Sequence, residues 1–367
     1  MNKVLIAAGG SGGHIFPAIA LGRSLKRLNK DLQIMYVGSD KALDKRMFEK
    51  EGARFTTLSA NKLPYKISFG IIIVSFRLLA DIFRAFYIMF SFRPDVAVGF
   101  GGYVSFPVIF SARILRIRTM VHEQNVLPGR ANKILFRLAD KIALSFKDTE
   151  KTLGRDPEKA VFTGNPVRSE ISASDRKSGN KLLALESGRF TILVIGGSQG
   201  AAFLNRTFVS SLSAIDPQAR GAIQVIHITG VKDYEWALKA YKELRIDHRV
   251  HSFIDRIEEA YGAADLIVTR SGASAIFELA LMRKPMVLIP YQYALSHQLD
   301  NARVFERNGA AVVVEEKDLN SVMFSALILD LMKDHDRIKS LSESAGRMAV
   351  PLAADNLAKE VVNLIGK

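Results

Sequence analysis

The chain contains no cysteine, which excludes a disulfide framework and any cysteine-held metal and suits a reducing compartment. It has no Gly/Ser/Pro tract and no block of single-sign charge. With 48% apolar and 24% charged residues it reads as a folded, soluble enzyme rather than a disordered chain. No GxxxxGK(S/T) occurs, so a P-loop is excluded, and GxGxxG fails at Ile15 in one glycine-rich loop and at Gln199 in another. Long hydrophobic runs are missing too. The run "KVLI" breaks at glycine short of the ~7 to 15 residues of a signal core. The most apolar stretch, residues 63–93, carries Arg77, Asp81 and Arg84 on one helical face and falls short of the ~18 to 20 apolar residues of a span. The expected location is therefore cytoplasmic.

What is present is positive charge, unevenly spread. Residues 1–166 hold 26 basic and 13 acidic residues, whereas residues 167–367 hold 25 and 24, so nearly all of the net charge of +14 lies in the first half. Such a half is either a solvated surface or the partner of an anion: nucleic acid, an acidic membrane face or a polyphosphate substrate. The apolar stretch lies in the same half. It reads as a crossover helix buried on a sheet, or as one whose outer face, with Ile71, Ile72, Phe76, Leu79, Phe83 and Phe86 near Lys62, Lys66, Arg77 and Arg84, rests on anionic lipid.

Short β-branched runs alternate with helical patterns from "KVLIAA" to "KIALSF", and near residue 190 the alternation restarts with "FTILVIGG". The spacing predicts crossover helices, hence an α/β fold with two doubly wound parallel sheets. "FTGNPVRSEI" (162–171) is the expected linker, giving domains 1–165 and 166–349. The last helix, within 350–367, has Leu357, Val361, Leu364 and Ile365 on one face and is expected to pack back on the first domain.

Three glycine-rich loops follow predicted strands: "GGSGGH" (9–14), "GFGGYVSFP" (99–107) and "GGSQGA" (196–201). Successive backbone N–H groups with a helix N-terminus behind them form an anion site, and phosphate suits it. Two of these loops also fit GxSxG, and Ser198, Asp265 and His297 follow the chain order of a serine hydrolase. A non-catalytic, nucleotide-responsive binding protein is a third reading. "DHD" (334–336) sits in a helical pattern with flanking lysines and reads as a solvated face, so no metal site is expected.

Together with "HEQN" (122–125), "GNPVR" (164–168), "RSGASAIFE" (270–278) and "HQLDNA" (297–302), these loops resemble the MurG-type transferases. Those enzymes add N-acetylglucosamine to the lipid-linked muramyl-pentapeptide of bacterial cell-wall synthesis. The resemblance implies two Rossmann-like domains facing across a cleft, the GT-B type, and an inverting, metal-independent transfer from UDP-N-acetylglucosamine with no cofactor and no nucleic acid. Another sugar-nucleotide transferase acting on a lipid acceptor is the alternative. The match gives the donor to the second domain: Ser198 for the diphosphate, Ile254 for uracil, Glu278 for the ribose, Gln298 for the sugar, with Ala273 and Ser274 beside them. Asn125, Arg168 and the loop Ser11, Gly12 and Gly13 also count toward the donor. The first domain would bind the acceptor at Gly12, Gly101, Gly102 and Tyr103 and touch the membrane, peripherally and on its cytoplasmic face. His14 is the expected general base, with His122 and Glu123 as the other candidates. One departure stands out: Ser296 occupies a position that is usually acidic in the family.

Overall fold

The computed structural model describes residues 2–59, 70–154, 157–196, 201–291 and 297–366, with residues 70–73 as backbone alone. Ser198, Ser296, Lys62 and Lys66 lie outside the described residues, as do the side chains of Ile71 and Ile72. The chain divides into two compact units, residues 1–168 with 350–367, and residues 169–349.

In chain order the first unit holds β1 (Lys3–Ala7), α1 (Gly12–Leu28), β2 (Gln33–Ser39), α2 (Ala42–Lys50), β3 (Phe55–Leu58), α3 (Gly70–Phe92), β4 (Val96–Gly99), α4 (Gly102–Ile114), β5 (Arg118–Glu123), α5 (Arg130–Leu138), β6 (Lys141–Leu144) and β7 (Ala160–Phe162). The second holds α6 (Arg176–Leu182), β8 (Phe190–Ile195), α7 (Ala202–Ser213), α8 (Pro217–Arg220), β9 (Ile223–Ile228), α9 (Tyr234–Leu244), β10 (Asp247–His251), α10 (Ile257–Ala263), β11 (Leu266–Thr269), α11 (Ala273–Leu281), β12 (Met286–Leu288), α12 (Gln298–Arg307), β13 (Val312–Val313), α13 (Ser321–Lys333) and α14 (His335–Met348). The last helix, α15 (Ala353–Ile365), returns to the first unit.

Each unit is built on one parallel sheet, seven strands in the order β3-β2-β1-β4-β5-β6-β7 and six in the order β10-β9-β8-β11-β12-β13. In both, the chain starts on an inner strand, winds to one edge and then crosses to the other side. That puts a topological switch point between β1 and β4 and another between β8 and β11, where doubly wound sheets bind ligands beyond the carboxyl ends of their strands. The register sharpens this: Ala7 pairs with Gly99 and Thr269 with Ile195, so the two strands at each switch point end level and their loops leave side by side.

The central strands are apolar on both faces because helices cover both. In β1, Val4 and Ile6 pack with α1 and α15, and Leu5 and Ala7 pack with α3, α4 and α5. Leu357, Ala358, Val361 and Leu364 of α15 are part of the first core, joined at the surface by Arg27 to Asp355 at 2.7 Å. Since Leu357 is fully buried there, Leu357→Ala should cost about 2–5 kcal/mol, the range for an aliphatic truncation in a packed core. Hydrogen exchange should show faster amides in β1–β7 with β8–β13 unchanged. Equal acceleration in both sheets would contradict the assignment of α15 to the first core alone.

Candidate functional site

At the first switch point the β1–α1 and β4–α4 loops meet. A Cβ on Gly9 would lie 2.6 Å from Asp44 Oδ2 and 2.8 Å from the Ser39 nitrogen, so only hydrogen fits at that position. Asp44 is fully buried, and its Oδ2 accepts from the backbone of Gly10 (2.9 Å) and Ser39 (2.8 Å) and from the Ser39 hydroxyl (2.7 Å), tying the loop to the end of β2. Gly102 has φ of 73°, and a Cβ there would lie 3.2 Å from both the Gly9 carbonyl and His14 Nδ1. The loops therefore approach as bare backbone, with His14 between them.

His14 lies in the first turn of α1. Its Nδ1 is 3.2 Å from the Gly9 carbonyl and 3.4 Å from Ser11 Oγ. A carbonyl only accepts, so Nδ1 carries the proton and the lone pair sits on Nε2, beside the space that a Cβ of Gly101 would fill. Burial lowers the pKa of this imidazole from the ordinary 6.5, outweighing the Gly9 carbonyl and the Asp44 charge, and the ring is neutral at physiological pH. Two residues on, Phe16 carries the Arg168 guanidinium over its ring at 3.9 Å, which brings that cation to the helix bearing His14. Neither α1 nor α4 has a side chain capping its first N–H groups, unlike α6, α13 and α14, capped by Asp175, Asn320 and Asp334. Tyr103 stands in the first turn of α4.

His122 and Glu123, at the carboxyl end of β5, are placed differently. His122 is fully buried, with Nε2 3.3 Å from the Gly164 carbonyl and Nδ1 accepting from the Gln124 amide at 3.1 Å, so both ring nitrogens are engaged inside the unit. Burial pushes its pKa down to about 4. Glu123 is equally enclosed: Oε1 accepts from the backbone and side-chain amides of Asn125 (2.9 and 3.1 Å), and Oε2 from Asn132 (2.8 Å) and the Gly129 nitrogen (3.3 Å). Burial raises its pKa against those four donors. Both residues hold loops in place, Glu123 that of Asn125 in particular. Composition and spacing carried no sign of this, nor of Asp44, Gln124 and Asn132.

In the second unit the described donor candidates follow the carboxyl ends of β10, β11 and β12. Ala273 and Ser274 open α11, whose start has no side-chain cap, and Glu278, one turn further, is buried and accepts from the Tyr261 hydroxyl at 3.1 Å. Ile254 is half-buried in the loop after β10, beside an exposed Phe253. Gln298 opens α12; its Oε1 accepts from the Tyr291 nitrogen (3.0 Å) and its carbonyl from Ser271 Oγ (2.8 Å), while Asn301 donates to the Ser271 carbonyl (3.2 Å). The α11 and α12 starts are thus wired to each other. The hydrolase reading fails here. Asp265 precedes β11, at the amino end of the sheet, where it pairs with Arg176 and accepts from the Thr191 nitrogen at 2.8 Å; His297 lies at the carboxyl end and has no orienting carboxylate in Asp265.

Two family models match the chain: the glycosyltransferase family 28 N-terminal domain over residues 4–144 and the corresponding C-terminal domain over residues 191–357. Two relatives, from Halothermothrix orenii and Thermodesulfovibrio yellowstonii, are 35% and 36% identical to it, each over 99% of this chain and 98% and 99% of their own. Both are named UDP-N-acetylglucosamine–N-acetylmuramyl-(pentapeptide) pyrophosphoryl-undecaprenol N-acetylglucosamine transferase. The chain belongs to the MurG family of glycosyltransferases.

Membership makes it a hexosyltransferase with two Rossmann-like units, the GT-B type of fold. The MurG of Acinetobacter baumannii shares that fold, with a TM-score of 0.77, 24% identity and coverage of 99% of this chain and 100% of the other. So does a UDP-GlcNAc 2-epimerase from Neisseria meningitidis, with a TM-score of 0.73, 12% identity and 99% coverage of both chains. Among the described residues no cluster of metal-ligating side chains occurs, and no helix is long and apolar enough to cross a membrane.

The buried imidazole of His122 gives a signature in the stability of this MurG-family chain. Folded, it takes a proton only near pH 4; unfolded, near 6.5, so the unfolded state binds more protons between these values. Stability is full above pH 6.5 and falls as the pH drops toward 4, by about 2 kcal/mol at pH 5 for one such group. Urea unfolding at pH 7 and pH 5 checks this. His122→Gln should lose less than the wild type between the two, and equal losses would rule the account out.

Proposed function

We propose that this chain moves N-acetylglucosamine from UDP-N-acetylglucosamine to the C4 hydroxyl of a lipid-linked muramyl-pentapeptide, with inversion at the anomeric carbon. The observation that carries the catalytic reading is His14: a neutral imidazole, its tautomer fixed by the Gly9 carbonyl, with Nε2 facing the second glycine loop. The acceptor pyrophosphate rests on the backbone at Gly12, Gly101, Gly102 and Tyr103, in the first unit. Nε2 takes the proton of the C4 hydroxyl as its oxygen forms the bond to the sugar C1; the C1–O bond to phosphate breaks, and UDP leaves with the electron pair. The second unit holds the donor: Glu278 accepts from the ribose hydroxyls, Ile254 packs on uracil, and Gln298 reaches the sugar. Ala273 and Ser274 at the start of α11 serve the diphosphate, as the resemblance also gives Ser198, and its growing charge is met by helix N-termini and by Arg168. Ser11, Gly12 and Gly13 complete the donor contacts with Asn125, which Glu123 positions. No metal is required in this scheme.

Transfer of label from UDP-N-acetylglucosamine to a lipid-linked muramyl acceptor tests the reading. His14→Ala should lower turnover by roughly 100-fold or more, the contribution of a general base, with UDP affinity nearly unchanged. In the wild type the acidic limb of kcat/KM should lie below the ordinary histidine value of 6.5, because the base must be neutral and burial lowers its pKa. Full turnover in His14→Ala, or a limb above 6.5, would remove His14 from the role.

We also propose that the first unit docks peripherally on an anionic bilayer at the cytoplasmic face. That unit holds 29 basic and 15 acidic residues, the second 22 of each. On α3 the aromatic and aliphatic side chains Phe76, Leu79, Phe83, Tyr87 and Phe90 form an exposed stripe, while Ala85, Ile88, Met89 and Phe92 face the core. Asp81 is turned inward onto Ser59 (2.9 and 2.7 Å), leaving Arg77 and Arg84 as the charges exposed beside the stripe. Anionic lipid contributes about 1 kcal/mol per nearby basic residue, and insertion of the stripe adds an apolar share that salt does not screen. In vesicle flotation the wild type should be released only in part by high salt, and Phe76→Ser with Phe83→Ser should float poorly. Equal flotation of wild type and variant, or of wild type with neutral and anionic lipid, would exclude this face.

A further inference from the structure

The first unit has a second concavity, a cavity of about 670 Å³ at the amino ends of β2 and β3, the opposite end of the sheet from the glycine loops. That volume suits a small organic ligand. Four of its cations, Arg23, Lys26, Arg27 and Lys30, recur at the i, i+3, i+4, i+7 spacing along and just past the end of α1, and Arg54 faces them from the turn before β3. One carboxylate lines the cavity, Glu51, and Arg23 holds it at 2.6 and 2.8 Å. Arg27 is taken by Asp355. Lys26, Lys30 and Arg54 are exposed and have no acidic partner among the described residues.

Cations near a helix C-terminus also answer the helix dipole, so charge alone does not define a site. Tyr36 supplies the independent observation. It is 6% exposed and lines the cavity, and its hydroxyl fits over Gly22, where a Cβ would lie 1.7 Å from the oxygen. That hydroxyl has no hydrogen-bond partner among the described residues. Burial and the Glu51 charge hold its pKa well above the ordinary value, so it remains an O–H donor. The ring is buried while the hydroxyl is left at the cavity wall, where a phosphate oxygen can accept from it.

We propose that this cavity is a second anion site, built for a small molecule bearing two or more phosphate charges, which accepts from Tyr36 and is neutralised by Lys26, Lys30 and Arg54. The ligand is either a soluble polyphosphate or a lipid headgroup with two phosphates; both present the same chemistry.

Titration calorimetry with inorganic tripolyphosphate on the full chain, saturated with UDP to occupy the donor site, tests the proposal. One tripolyphosphate should bind at this cavity, apart from any held at the glycine loops. Lys30→Glu with Arg54→Glu should weaken it roughly tenfold or more, the least expected from losing charge-assisted hydrogen bonds. Tyr36→Phe should weaken it by a smaller factor, while Arg77→Glu with Arg84→Glu, on α3, should leave it unchanged. Hydrogen exchange should gain protection over residues 22–36 and 51–54. Cardiolipin vesicles that displace the tripolyphosphate identify the ligand as a headgroup, and failure to displace it identifies a soluble phosphate; either supports the site. Absence of binding under UDP, or equal weakening by the α3 pair, would overturn it.

Discussion

The close approach of two bare backbones at the end of β1 and β4 is the constraint from which the rest of the first unit follows. A side chain at Gly9 would strike Asp44 and Ser39, and one at Gly102 would press on Gly9 and His14. With hydrogen at both positions the loops close on the imidazole, the Gly9 carbonyl selects its tautomer, and the ring is oriented by backbone rather than by a carboxylate. The level register of Ala7 with Gly99 is what brings the loops to the same height. The glycines therefore serve two ends at once: they open the backbone to a ligand, and they let the loops touch each other. Seen from the sequence alone, only the first of these is apparent.

Charge and apolar surface are divided between the units along the same line as the chemistry. The whole of the net charge belongs to the unit that carries His14, the exposed stripe of α3 and the basic cavity, while the unit with Glu278 and Gln298 is neutral. A water-soluble nucleotide sugar needs no membrane contact, whereas a substrate on a polyprenyl anchor is available only at a bilayer surface. Under the proposed docking, positive charge confined to one unit would draw an anionic surface to that unit and not to the other.

Much of the fold was legible because it rests on strong local patterns. The runs "KVLIA" and "FTILVI" are apolar without alternation, as buried parallel strands must be, and the glycine loops mark where each sheet turns over. The edge strands of the first sheet were not: "FTTL" and "AVF" are four and three residues long, and their pairing with a neighbour, rather than their own pattern, makes them strands. At the site, motif positions marked where loops would lie but not which side chains would face a ligand. "HEQN" offered His122 and Glu123 as further candidates for the base beside His14, yet the fold turns both inward, because β5 is covered on both sides and its polar residues must find partners within the unit. On α3 the sequence marked Phe76 and Phe83, but Tyr87 and Phe90 extend the exposed stripe and Phe86 is half-covered, a difference of one residue in phase that depends on where α4 packs.

Helix α1 joins the two ends of the first unit and meets opposite demands at each. Its N-terminus begins on glycines without a side-chain cap, so the positive end of its dipole lies beside His14. Its C-terminus carries the negative dipole end, and Lys26 and Arg27 in the last turn answer it. Seventeen residues separate these ends, roughly 25 Å at ~1.5 Å per residue. No small ligand spans that distance, so one small anion cannot occupy both ends. Ile15, Ala18, Ile19, Leu21 and Leu25 are buried along its length and Leu357 and Val361 of α15 pack in the same core, so α1 is held as a rigid body. The imidazole and the basic cavity therefore lie at opposite ends of one helix, in chemically separate surroundings.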